Sequence, residues 1–175
     1  MAESDVTVHR VGPRSVVSVS AWPDRADALA LLLSRALGLQ LARPGRWTAA
    51  GDLVCVWTAP TQWQVQRAGR QDLLAQLDAV VGDAAGLIDL SDASVVLRLG
   101  GAGAREVLAR LLPIDLHPRA FGPTSAARSY AAHMTVQVRQ LDVAPTYELA
   151  CAGSYAGSLW RALELAGARA GEAGE

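Results

Sequence analysis

The sequence predicts an α+β fold, with helices packed on mostly antiparallel sheets, built from two related halves. Three observations predict it. Strand-like and helix-like runs occur in the same order twice. "SVVSVS" at 15–20 is echoed by "SVVLRL" at 94–99, and "PTQWQVQ" at 60–66 by "PTYELAC" at 145–151. In both later segments Pro-Thr leads into an aromatic, and a glycine and a helical pattern follow. Self-similarity of this kind marks a duplicated unit. Each half reads as a ferredoxin-like strand–helix–strand–strand–helix.

The elements follow in order. Residues 15–20 are β-branched and lie between Gly12-Pro13 and Trp22-Pro23, which predicts a strand. A helix is expected over Asp24–Leu37, with Pro23 near its start, acidic residues in its first turn and Gly38 at its end. Leu29, Leu31, Leu32 and Leu33 make it apolar nearly all round, the mark of a helix covered on more than one side. Two strands, Leu53–Trp57 and Gln62–Arg67, bracket "TAPT". A helix over Gln71–Val81 repeats Leu73, Leu77, Val80 and Val81 at helical spacing, and Gly86–Leu90 is a buried-strand candidate.

The second half opens at Ser94. After the glycine-rich "GGAGA" comes a helix with Ala104, Val107, Leu108, Leu111 and Leu112 on one face and Arg105, Glu106 and Arg110 on the wet one. Strands are expected over Ala126–Ala132 and Thr135–Leu141, then over Pro145–Cys151. A helix over Tyr155–Ala166 closes the half, with Ala156, Leu159, Trp160 and Leu163 inward. The resulting organisation is an arm over 1–14, one domain over 15–166 made of repeats 15–90 and 94–166, and a flexible tail over 167–175.

Composition narrows the chemistry. In 175 residues, 51% are hydrophobic, enough for a core, and the formal charge of −1 gives no footprint for nucleic acid. Every fixed cation is arginine, so lysine bases, Schiff bases and phosphate-loop lysines are excluded. Cys55 and Cys151 have no paired spacing and read as reduced, buried thiols. No signal-peptide pattern and no membrane-length apolar run occur, which gives a cytoplasmic expectation.

Most motifs have a structural explanation. In "GGAGA" the third glycine of a dinucleotide fingerprint would fall on Glu106, so a tight turn is expected instead. His9, His117 and His133 lack ligand spacing with one another, and His133 reads as a turn or interface residue. No nucleophile elbow exists. Asp89 and Asp92 fit a strand-to-strand junction, and Trp57 and Trp63 flank a hairpin as core or interface anchors. The loop "LLPIDLHPRAF" remains. It gathers Asp115, His117 and Arg119 between Pro113 and Pro118, a spacing that suits either a catalytic lip or a rigid surface turn.

Several stretches in fixed order carry a resemblance: Leu97–Leu108 as "LRL-x-G-x-x-AR-x-x-L", Pro113–Phe121 as "PIDLHP-x-AF", Tyr147–Leu149, and Ser154–Trp160 as "S-[FY]-A-x-SLW". With Trp57–Trp63 they cover nearly all of the chain. The chain resembles the gamma subunit of heterotetrameric sarcosine oxidase. The resemblance implies the fold of the folate-binding region of the glycine-cleavage T-protein, and alpha, beta and delta subunits as partners. It implies oxidation of sarcosine to glycine, with the methyl carbon passing to tetrahydrofolate and electrons to oxygen. FAD, FMN, NAD, zinc and the folate site would lie on partner subunits, leaving this chain without catalytic, cofactor or metal residues of its own. By position, Asp115 matches a folate-directed aspartate of the T-protein, while His133 stands where small residues are usual. On this reading Asp115, His117, Arg119, Phe121 and His133 are subunit-interface candidates. A free-standing folate-binding aminomethyltransferase and a gamma-like subunit for another N-methyl amine are the alternatives.

Overall fold

The computed structural model describes residues 5–171. In chain order its elements are β1 (Thr7–Arg10), β2 (Arg14–Ala21), α1 (Ala26–Leu37), β3 (Trp47–Ala50), β4 (Leu53–Ala59), β5 (Gln62–Ala68), α2 (Leu73–Val81), β6 (Ala85–Asp89), β7 (Ser94–Gly100), α3 (Ala104–Ala109), β8 (Ala126–Ala131), β9 (Met134–Gln140), β10 (Tyr147–Ala152), α4 (Ala156–Leu165) and β11 (Arg169–Ala170). They form two compact units. One is Gly12–Asp92; the other joins the residues before Gly12 to those from Ala93 onward.

The unit over Gly12–Asp92 holds a five-stranded sheet in the order β3-β4-β5-β2-β6, antiparallel throughout. Its core sets Val17, Val19, Trp63 and Val65 of the sheet against Leu29 and Leu33 of α1 and Leu73, Leu77 and Val81 of α2. Leu31 and Leu32 stay exposed, so α1 buries one stripe and not its whole surface. The helix starts two residues later than expected because Trp22–Arg25 form a turn: the Arg25 N–H donates to Trp22 O at 3.0 Å, and Asp24 sits at φ 60°. Its end follows the sequence signal. Gly38, at φ 65°, donates to Ser34 O, the left-handed glycine closure of a helix, and the Leu39 N–H reaches Leu33 O. α2 likewise begins after Asp72, whose side chain caps the Ala75 N–H at 3.0 Å.

The other unit has six strands in the order β11-β1-β7-β10-β9-β8. Its core joins Leu97, Leu99, Tyr147, Leu149, Val136 and Val138 to Val107 and Leu108 of α3 and Leu159 and Leu163 of α4. Both ends of the chain differ from expectation. Thr7–Arg10, expected as part of an arm, is a strand paired antiparallel with β7, because Val6 and Val8 alternate into the core. Arg169–Ala170, expected within a flexible tail, pairs parallel with β1, anchored by buried Ala168. The expected arm and tail also include residues 1–4 and 172–175, which lie outside the described residues.

Both units therefore run strand–helix–three strands–helix, with an extra strand, β3, that the sequence pattern did not show. The internal echo also shifts. A literal overlay of "SVVSVS" on "SVVLRL" sets Val19 on Arg98. In the sheets Val19 pairs with Trp63 and Leu99 with Tyr147, and all four enter their unit's core. The repeats align aromatic on aromatic, since a one-residue slip would turn each side chain to the opposite face.

Candidate functional site

The "IDLHPRAF" loop follows α3. Leu111 and Leu112 still bond to Leu108 O, and Pro113, with no N–H, ends the run. The next turn is closed by its own polar groups. Asp115 Oδ1 accepts from the His117 N–H at 2.8 Å, and His117 Nδ1 accepts from the Arg119 N–H at 3.2 Å. The His117 carbonyl accepts from the Ala120 and Phe121 N–H groups, both at 2.8 Å. While Nδ1 accepts, a neutral His117 carries its proton on Nε2. Asp115, His117 and Arg119 are exposed; Leu116 and Phe121 point inward. Phe121, expected as an anchor for a partner, packs in the chain's own core and stacks on Tyr147, ring centroids 6.4 Å apart. The three polar side chains form no hydrogen bond or ion pair with one another, so the structure places them on one turn without joining them into a charge relay.

Arg105 braces this loop from α3. Its Nη1 donates to Leu116 O and to Phe121 O, the latter at 3.1 Å, and its Nη2 donates to Gln140 Oε1 at 3.3 Å. The guanidinium lies over the Tyr147 ring, 5.6 Å from the centroid. Gln140 continues to Asp142 O at 2.7 Å. Arg105 was expected on the wet face of its helix; it turns inward because two loop carbonyls need donors, and a guanidinium supplies several in one plane. Tyr147 is fully buried and its hydroxyl has no hydrogen-bond partner among the described residues. Burial pushes the phenol above its usual range, and Arg105 opposes the shift.

A second polar group lies on the other face of the same sheet. Glu148 of β10 is in register with Arg98 of β7 and Arg139 of β9. Arg98 Nη2 reaches Glu148 Oε1 at 2.7 Å, and Arg139 Nη2 and Nε reach Oε2 at 2.5 and 3.0 Å. The Glu148 side chain is 3% exposed, Arg139 8% and Arg98 37%. Sequence reading missed this triad. Its trace is a single charge in each of three strands, "VLRL", "QVRQ" and "YELAC".

The remaining candidates settle into structure. At "GGAGA" a Cβ on Gly101, at φ 120°, would stand 2.1 Å from Asp5 O, so this glycine admits the chain's own backbone. His133 is exposed at the β8–β9 turn with φ 68°, and no hydrogen bond or ion pair among the described residues links it to the Asp115 turn. Asp89 accepts from the Ser91 N–H and hydroxyl, whereas Asp92 pairs with Arg70 at 2.6 Å. The indole of Trp63 donates to Ala42 O at 2.8 Å inside the core. Cys55 and Cys151 are free and buried, and burial pushes Cys55 up to about 11. Among the described residues no group of three or more His, Cys, Asp or Glu could hold a metal ion, and no helix is long and apolar enough to cross a membrane.

Residues 22–169, which include the loop, its brace and the triad, match the sarcosine oxidase, gamma subunit family. The chain belongs to that family. A sarcosine oxidase subunit gamma from Corynebacterium sp. (strain P-1) is 33% identical over 128 residues, 73% of this chain and 60% of that protein. One from Arthrobacter sp. is 32% identical over 132 residues, 75% of this chain and 65% of that protein. The matched region thus spans less than two thirds of these gamma subunits. The heterotetrameric sarcosine oxidase from Corynebacterium sp. U-96, solved in complex with pyrrole 2-carboxylate, contains a chain matched with a TM-score of 0.80 at 26% identity, over 97% of this chain and 89% of that one. The glycine cleavage system aminomethyltransferase T from Bartonella henselae shares the fold, with a TM-score of 0.71 at 17% identity over 94% of this chain and 49% of that one.

Proposed function

We propose that this chain is the gamma subunit of a heterotetrameric sarcosine oxidase and contributes no catalytic group. It would act in the cytoplasm with alpha, beta and delta subunits. The assembled enzyme would oxidise sarcosine to glycine and pass the methyl carbon to tetrahydrofolate, with FAD, FMN, NAD, zinc and folate held by the partners.

The observation that carries this reading is the use of the loop's polar atoms. Asp115 Oδ1 and His117 Nδ1 are spent on the backbone of their own turn, and Arg105 pins that turn from behind. A carboxylate that activates folate must be enclosed and aimed at its substrate; Asp115 is exposed and holds a turn. What remains is a stiff polar knuckle of Asp115, His117 and Arg119, suited to docking on a neighbouring subunit.

Co-expression with the three partner subunits tests this. Asp115→Ala and Arg119→Ala are expected to lower the yield of assembled enzyme while turnover per assembled flavin stays unchanged. Normal assembly with lost turnover would overturn the reading. Tetrahydrofolate binding by the isolated chain that disappears in Asp115→Asn would replace it with a folate-binding transferase.

A further inference from the structure

The two units have the same strand order up to one place. Beside the central strand β7 stand β1 and then β11; beside the equivalent strand β2 stands β6, and the sheet ends there. The sixth position, filled by the chain itself in one unit, has no strand among the described residues in the other.

The edge at that position pairs with no strand among the described residues. The Ala21 N–H points from β2 towards the β5 side, to Thr61 O, while the Trp22 N–H points the other way and donates to Ala84 O. The Leu90 N–H donates to Val16 O. Even-numbered residues of β6 therefore bond to β2, and the backbone groups of Ala85, Leu87 and Asp89 face outward. Other sheet edges are blunted: β11 has two residues, β3 has four, and β8 exposes Arg128. From Ala85 to Ile88 β6 has neither charge nor proline. On one face the edge is also apolar. Ile88 is 62% exposed and Trp22 53%, and the Trp22 ring lies against Gly86, where a Cβ would meet it at 3.3 Å.

Building on the proposed role as an oxidase subunit, we infer that β6 receives a short extended segment from a partner subunit. The segment runs parallel to β6, as β11 does to β1, and sets an apolar side chain over Ile88 and Trp22. The duplication identifies the missing element as a strand, and the open backbone row supplies its hydrogen bonds.

Hydrogen exchange on the full chain, alone and in the assembled enzyme, tests this. The amides of Ala85, Leu87 and Asp89 are expected to exchange at least tenfold more slowly in the complex; those of Gly86 and Ile88, already bonded to β2, are protected in both. Ile88→Lys is expected to weaken assembly at least tenfold while the melting temperature of the isolated chain moves by no more than about 2 °C. Assembly with unchanged exchange at 85, 87 and 89 would overturn the strand and leave the subunit role standing. Failure of the wild-type chain to join the oxidase subunits would overturn both. Protection of these amides that rises with the concentration of the isolated chain would assign the edge to a second copy and overturn the partner assignment.

Discussion

Arg105 sits over the Tyr147 ring, 5.6 Å from its centroid, and from there donates to the carbonyl of Phe121 at 3.1 Å. One side chain thus ties α3, the loop after it and β10 into a single packing unit. Hydrogen bonds from a charged donor contribute about 1.5–3 kcal/mol each, and a partly desolvated cation over a ring about 1 kcal/mol, without simple additivity. Arg105→Ala is expected to destabilise the chain by about 3 kcal/mol, read by chemical denaturation. Arg105→Lys should recover less than half, because an ammonium cannot present the planar fork that spans two carbonyls. Full recovery by lysine would show that charge alone matters.

The Tyr147 hydroxyl predicts a change of opposite sign. It is buried with no hydrogen-bond partner among the described residues, so folding strips its water without replacing it. Such a group costs about 1–3 kcal/mol. Tyr147→Phe keeps the ring, the stacking on Phe121 and the contact with Arg105, and is expected to stabilise the chain by about 1 kcal/mol. A destabilised variant would mean that the hydroxyl is satisfied in solution.

The triad around Glu148 should respond more sharply. Glu148→Gln removes the carboxylate that pairs with both Arg98 and Arg139, and removing one partner of a buried pair costs about 3–5 kcal/mol. Replacing Glu148 and Arg139 together by leucine and methionine should cost less than Glu148→Gln alone, since Arg98 is part exposed and can turn to water. The effect should persist at high salt, because buried charges are poorly screened.

How far these features could be read in the sequence depended on range. Local signals were legible. Gly38 did end α1, the apolar spacing of α2 and α4 did face a core, and the two Pro-Thr-led strands did occupy equivalent places. β3 leaves no sequence signal because four residues with mixed exposure carry no periodicity. Thr7–Arg10 carries no strand signal of its own, because its strand character depends on β7, far along the chain. The candidate loop was found by composition, but not its state: a helical wheel sets Arg105 in water, whereas the length of its side chain lets it reach back to the loop carbonyls. Glu148, Arg98 and Arg139 were invisible as a group because sheet register alone brings them together.

The β8–β9 hairpin carries a cost that substitution can remove. Ala132 and His133 form its two-residue turn, with φ of 47° and 68° between the paired Ala131 and Met134. Two positive φ values are the signature of a type I′ turn, which favours Asn-Gly; each ordinary residue there costs about 1 kcal/mol. The double substitution Ala132→Asn, His133→Gly is expected to raise stability by about 1–2 kcal/mol. If His133 also touches a partner subunit, that variant will be a more stable chain that assembles less well, which separates the two roles in one experiment.

Acid should loosen the end of β6 in a residue-specific way. The Val16 N–H donates to Ser91 Oγ at 2.9 Å, and the Ser91 hydroxyl and N–H both donate to Asp89 Oδ1, at 2.6 and 2.9 Å. These bonds favour the carboxylate, so the Ser91 hydroxyl and then its N–H hold Asp89 below its ordinary value of 3.8, with a smaller contribution from Arg70. A folded value below the unfolded one means that the unfolded chain binds more protons across that window. The stabilisation is therefore complete above about pH 4 and is lost as pH falls through the folded value. Asp89→Asn cannot titrate, so the gap in melting temperature between wild type and variant should be widest near neutral pH and close under acid. Ser91→Ala should narrow with acid in the same way, yet keep a residual loss of about 1 kcal/mol at low pH, because the Val16 N–H has then lost its acceptor whatever the charge on Asp89. A gap for Asp89→Asn that stays constant from neutral pH to about pH 3 would show that the carboxylate's charge adds nothing to this junction.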